Sequence, residues 1–67
     1  MPLTNDEVNN FLKIKGEHFR EGRIKKGYSI DKMVSSTGLS RMTIIRMEKG
    51  ETDYRITSEI RYLRAIY

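Results

Sequence analysis

The 67-residue chain contains no cysteine, which excludes disulfides and every cysteine-ligated metal site. A reducing, cytoplasmic setting agrees with that, and the cytoplasm is the expected location. Its one proline is Pro2. No apolar run approaches the roughly 18 residues that span a bilayer. The opening MPLTNDEV is acidic and polar, unlike a secretory signal. No stretch alternates apolar and polar long enough to read as a strand, and no internal repeat or low-complexity segment is present. Catalytic groups are scarce too. His18 is the single histidine, with no second ligand or nucleophile near it in a helical register, so it is assigned to the surface. The carboxylates are scattered, and no glycine-rich loop leads into a helix. No catalytic residue, metal or cofactor is therefore expected, and an enzyme is not the reading.

What is present is positive charge. The net charge is +4, and it is uneven. Residues 1–19 hold two Lys/Arg against three Asp/Glu, whereas residues 20–67 hold eleven against six. A basic body of this kind suits a polyanionic partner, and a solvated lysine and arginine surface is the alternative. A chain this short buries only about 60% of its extended surface, so its stability margin is thin and association with a second copy is an option.

Helical spacing with glycine punctuation predicts an all-α domain with short connections. TNDE at Thr4 to Glu7 is a capping box, and Val8, Phe11, Leu12 and the stem of Lys15 follow at helical spacing. Gly16 either breaks this helix or is crossed by it. A segment from Glu17 to Lys26 follows, with Phe19, Gly22 and part of Arg23 on one side, and Gly27 ends it. Ser29 caps a short helix to about Ser36, in which Met33, Val34 and Thr37 face inward. Gly38 ends that helix and Leu39 is a buried connector. Ser40 caps a helix to about Lys49, with Ile44, Met47 and part of Glu48 inward and Gly50 as its stop. A last helix is expected from Thr57 or Ser58, with Ile60, Leu63 and Ile66 on its buried face. The count is about five short helices. Residues 1–15 are expected as a helical extension and residues 16–67 as the main body of a single domain.

The informative unit is YSIDKMVSSTGLSRMTIIRMEKG: a short helix, a tight glycine turn and a second short helix. Two helices this short cannot bury much against each other, so flanking helices must complete the core. That leaves Arg41, Met42, Thr43, Ile45, Arg46 and Lys49 on an outward face. This is the helix-turn-helix design, whose second helix enters the DNA major groove.

In FREGRIKKGYS, SIDKMVSSTGLS and TIIRMEKG, taken in order, the chain resembles the Cro/repressor-type (XRE family) helix-turn-helix proteins, from about Gly16 to Ile66. The resemblance implies a compact, lambda-repressor-like bundle. It also implies a small transcriptional regulator of phage or mobile-element origin that represses by occluding a promoter. By position it implies base contacts from Arg41, Met42, Thr43, Ile45 and Arg46. An arginine can bond guanine O6 and N7 bidentately, and Met42 and Ile45 can meet thymine methyl groups. Ile45 could equally be buried against the N-terminal segment or a partner copy. Phosphate contacts are expected from Ser29, Lys32, Ser40, Lys49, Thr52 and Arg55. The resemblance further implies an ion pair between Arg23 and Glu48 that fixes the angle of the recognition helix.

Several positions depart from the family pattern. Val34 stands where a small residue commonly allows close packing, and Gly22 could compensate by admitting a bulkier neighbour. Glu59 replaces a frequent apolar residue, and Tyr54 a frequent loop proline. The segment ahead of Gly16 is additional, and the chain stops at Tyr67 without a further helix or strand. Double-stranded DNA is the expected partner, bound by a homodimer that meets through Ile60, Tyr62, Leu63, Ile66 and Tyr67. The apolar N-terminal segment could bind another protein, and a helix-turn-helix module that modulates a host protein is the competing reading.

Overall fold

In the computed structural model, residues 2–51 and 54–67 are described. Thr52, expected at a phosphate, lies outside them. Four helices follow one another: α1 (Asn5–Lys26), α2 (Ile30–Thr37), α3 (Arg41–Lys49) and α4 (Ile56–Ile66). The described residues form no strand, and no helix is long and apolar enough to cross a membrane.

Four helices replace the expected five because α1 runs unbroken through Gly16. The Thr4 capping box starts it: the Glu7 N–H donates to the Thr4 hydroxyl at 3.1 Å, and the Thr4 N–H donates to the Glu7 carboxylate at 3.3 Å. Gly16 does not break the helix; it lets another helix approach. The end of α3 lies against α1 so closely that a Cβ on Gly16 would sit 2.6 Å from the Gly50 nitrogen, 2.7 Å from the Glu48 carbonyl oxygen and 2.9 Å from that of Met47. Gly50 makes the reciprocal approach. It has φ +86°, and a Cβ there would stand 2.7 Å from the Leu12 carbonyl oxygen, so both strain and space restrict that position to glycine.

The core is built from Phe19 of α1, Met33 of α2, Leu39 of the turn, Ile44 and Met47 of α3, and Tyr62 and Ile66 of α4. The Phe19 and Tyr62 rings pack with centroids 4.9 Å apart and planes tilted by 56°, a favourable aromatic arrangement. Helix α4 begins at Ile56, with Arg55 at its N-cap, and its buried stripe differs from the expected one. Tyr62 is fully buried, while Ile60 and Leu63 are exposed. The reason is hydrogen bonding. The Tyr62 hydroxyl lies 2.9 Å from the Phe19 carbonyl oxygen and 2.7 Å from Glu48 Oε2, so this large ring enters the core with its polar tip satisfied. Gly22 does admit a bulkier neighbour, but it is Ile66, whose Cδ1 lies 2.6 Å from where a Cβ would be.

Glu59 has a purpose in the packing. Its largely buried carboxylate forms an ion pair with Lys15, tying α4 to the middle of α1. The hydrogen bond that Lys15 donates to Glu59 raises the Lys15 pKa above its ordinary value. Burial raises that of the neighbouring Tyr54.

Candidate nucleic-acid interface

Helices α2 and α3 and the three residues between them form a helix-turn-helix unit. The Ser29 hydroxyl accepts from the Lys32 N–H at 3.1 Å and starts α2. Thr37 is buried at its end. Its hydroxyl donates to the Met33 carbonyl at 2.6 Å and accepts from the Leu39 N–H at 3.1 Å, so one side chain closes α2 and pins the turn. Gly38 takes φ +75°, and Leu39 drops into the core. The Ser40 hydroxyl then accepts from the Thr43 N–H at 3.1 Å and starts α3.

With Ile44 and Met47 turned into the core, the other side of α3 faces outward. Arg41, Met42, Arg46 and Lys49 are exposed there, and Thr43 and Ile45 are half-buried. Of the expected phosphate-contact residues, Ser29, Lys32, Ser40, Lys49 and Arg55 are all exposed. The Ser29 and Ser40 hydroxyls are already engaged in capping, which leaves their helix N-termini ordered. Lys32 lies over the Tyr28 ring, 5.7 Å from its centroid. Arg41 forms an ion pair with Asp31 across the turn.

The tilt of α3 is held from behind. Arg23 Nε donates to Glu48 Oε2 at 2.8 Å and Nη2 donates to Oε1 at 3.1 Å, a bidentate pair in which both side chains are largely buried. Arg23 Nη1 donates to the Tyr28 carbonyl at 2.8 Å, which fixes the connection between α1 and α2. The Tyr62 hydroxyl reaches the same Glu48 carboxylate from α4. Helices α1 and α4 thus converge on one glutamate of α3, and the same arginine holds the loop before α2. The hydrogen bond with Glu48 raises the Arg23 pKa. Burial, reinforced by Glu48, pushes that of Tyr62 well above the usual tyrosine range, so both groups keep their protons at neutral pH.

The residues expected at a dimer surface separate into two groups. Tyr62 and Ile66 belong to the core and offer no free surface, whereas Ile60, Leu63 and Tyr67 are exposed. Ile56, which no sequence argument placed there, joins the exposed group. Sequence reasoning also missed Tyr62 as a support for α3. The signal was a tyrosine one helical turn before Ile66, a residue that needs a polar partner once buried. It missed the Asp31–Arg41 pair as well, because only the turn brings those two helix starts together.

Among the described residues, no group of three or more metal-binding side chains occurs. An open groove of about 520 Å³ between α1 and the end of α4 is lined by His18, Glu21, Lys25 and Tyr67 among others. None of the α3 residues lines it.

This geometry defines a helix-turn-helix domain, all-helical in its described residues, with a cationic outer face. In sequence, 51 residues are 43% identical to a protein of Pyrococcus furiosus described provisionally as an HTH-type transcriptional regulatory protein. That match covers 76% of this chain and 16% of the relative. A protein of Thermococcus kodakarensis with the same description is 39% identical over 41 residues, 61% of this chain and 13% of the relative. The chain thus spans about a sixth or less of the length of these curated relatives. No family model and no solved structure matches it.

Proposed function

We propose that this chain is a sequence-specific double-stranded DNA-binding module of a transcriptional regulator of the Cro/repressor (XRE) type, with α3 lying in the major groove. One observation carries the reading: α3 is locked from behind through Glu48, while its other face presents Arg41, Met42, Arg46 and Lys49 to solvent. A helix that must place side chains against base edges needs that combination of rigidity and exposure. The start of α3 supplies Arg41, Met42 and Thr43 for base contacts, with Ile45 and Arg46 further along. Lys32, Lys49 and Arg55, with the capped starts of α2 and α3, serve phosphates. The descriptions of the archaeal relatives agree with transcriptional regulation.

The module pairs with a second copy through α4. Ile56, Ile60, Leu63 and Tyr67 are all exposed, and their 4–3–4 spacing is that of a helix–helix seam. Such a dimer places two α3 helices on half-sites about 34–36 Å apart. The competing protein-interaction reading draws on Leu3, Phe11 and Ile14, which stand exposed on the N-terminal half of the chain.

Selection from random duplexes, followed by binding to selected and random DNA at two salt concentrations, tests the proposal. Three phosphate-contacting cations per chain correspond to a log–log salt slope of about −3 for one chain on a half-site and about −5 for the dimer, with a two-fold symmetric motif enriched. Ile60→Asp is expected to weaken binding to the symmetric site and leave half-site binding intact. A flat salt response with no enriched motif refutes DNA reading, and capture of a defined protein through the Leu3–Phe11–Ile14 surface would then favour the interaction module.

A further inference from the structure

We infer that Asp31 is a specificity-determining residue: it holds the Arg41 guanidinium so that Arg41 reads a guanine and is kept from settling on a phosphate. This rests on the DNA-reading function proposed above. Asp31 is the second residue of α2 and Arg41 the first of α3, and the ion pair joins them across the turn through Arg41 Nη1. As a stabilising device the pair is nearly worthless, since both side chains are mostly exposed, 82% for Asp31 and 62% for Arg41. Exposed ion pairs contribute little to folding. Its physical consequence is the placement of Arg41.

That placement matters because of what an arginine can do on DNA. A free guanidinium at a helix start binds any phosphate within reach, which adds affinity without sequence information. With Asp31 accepting from Nη1, the Nε and Nη2 edge of the fork remains for an acceptor pair such as guanine O6 and N7. The side chain is also ordered before binding, so less rotamer freedom is lost on docking. A carboxylate on the DNA-facing side lowers attraction to phosphates at large, which weakens non-specific binding more than specific binding.

The test begins with the motif selected by the wild-type protein and by Arg41→Ala, which identifies the base pair that depends on Arg41. Asp31→Asn then keeps the side chain's size and removes its charge at an exposed position, so the fold persists and circular dichroism checks it. The preference for guanine at that base pair is expected to fall about threefold or more. Binding to random duplexes is expected to strengthen, and the salt slope to steepen by about one as Arg41 takes a phosphate. The double variant Asp31→Asn/Arg41→Ala should lose no more preference than Arg41→Ala alone. A uniform gain in affinity with guanine preference intact overturns the inference, leaving Asp31 as a mere repulsive charge. Unaltered preferences in Arg41→Ala overturn it as well. A wild-type protein that selects no sequence at all is a different failure, of the DNA-reading function itself.

Discussion

Gly16→Ala sets two effects of known size against each other. In an isolated helix the change stabilises by about 1 kcal/mol, because alanine is the better helix former. In this fold the new Cβ would meet three backbone atoms of the α3 terminus at 2.6 to 2.9 Å, where ordinary contact begins near 3.4 Å. Backbone cannot rotate away as a side chain can. Helix α3 would have to withdraw by about 0.8 Å, the shortfall at the closest atom, and the withdrawal stretches the hydrogen bonds between Arg23 and Glu48. Overpacking of this kind costs about 1–3 kcal/mol even where side chains absorb part of it. Set against the gain in propensity, a net loss of up to about 2 kcal/mol is expected, at most roughly 8–16 °C in Tm for a domain of this size. Gly22→Ala is the internal control. It offers the same gain in helix propensity, but its Cβ meets only Ile66 Cδ1, at 2.6 Å. That flexible tip can turn at a cost of about 0.5–1.5 kcal/mol, so the net change should lie near zero. Thermal and urea unfolding of both variants by circular dichroism decides the matter. A Gly16→Ala protein at least as stable as Gly22→Ala would refute the argument that the close approach of α3 is why residue 16 is glycine.

Glu48→Ala strands the Arg23 guanidinium and removes a partner of Tyr62, and such a break in a largely buried pair costs about 3–5 kcal/mol. Urea unfolding of Glu48→Ala should show a domain close to the limit of folding, whereas Arg41→Ala on the outer face should unfold like the wild type. Alkaline pH should unfold the protein through Tyr62. Its folded pKa is raised, so its contribution is complete below the ordinary tyrosine value of about 10 and is lost as pH rises above it. Stability above about pH 10 should fall with a slope approaching about 1.4 kcal/mol per pH unit for this proton, and Tyr62→Phe should flatten it. An unchanged slope in Tyr62→Phe would assign the alkaline loss to other groups, such as Lys15 and Tyr54.

The sequence by itself determined the helical class, the helix starts at Thr4, Ser29 and Ser40, the stops at Gly27, Gly38 and Gly50, and the inward residues of the helix-turn-helix. These are local matters: a cap bonds three residues on, a left-handed residue ends its own helix, and a 3.6-residue period shows one face at a time. Arg23 and Glu48 became a pair only through resemblance, since 25 residues separate them and no local period joins them. Tertiary structure decided the rest. Propensity weighs Gly16 and Gly22 alike, and only the neighbours distinguish backbone atoms of α3 at one from the tip of Ile66 at the other. Apolar spacing favoured Ile60 and Leu63 as the buried face of α4, yet a hydrogen bond from Tyr62 to Glu48 outweighed it and turned those two residues to solvent. Asp31 met Arg41 because a turn placed two helix starts side by side. Contacts between distant residues depend on how whole elements pack, and a single chain's local pattern carries no record of that.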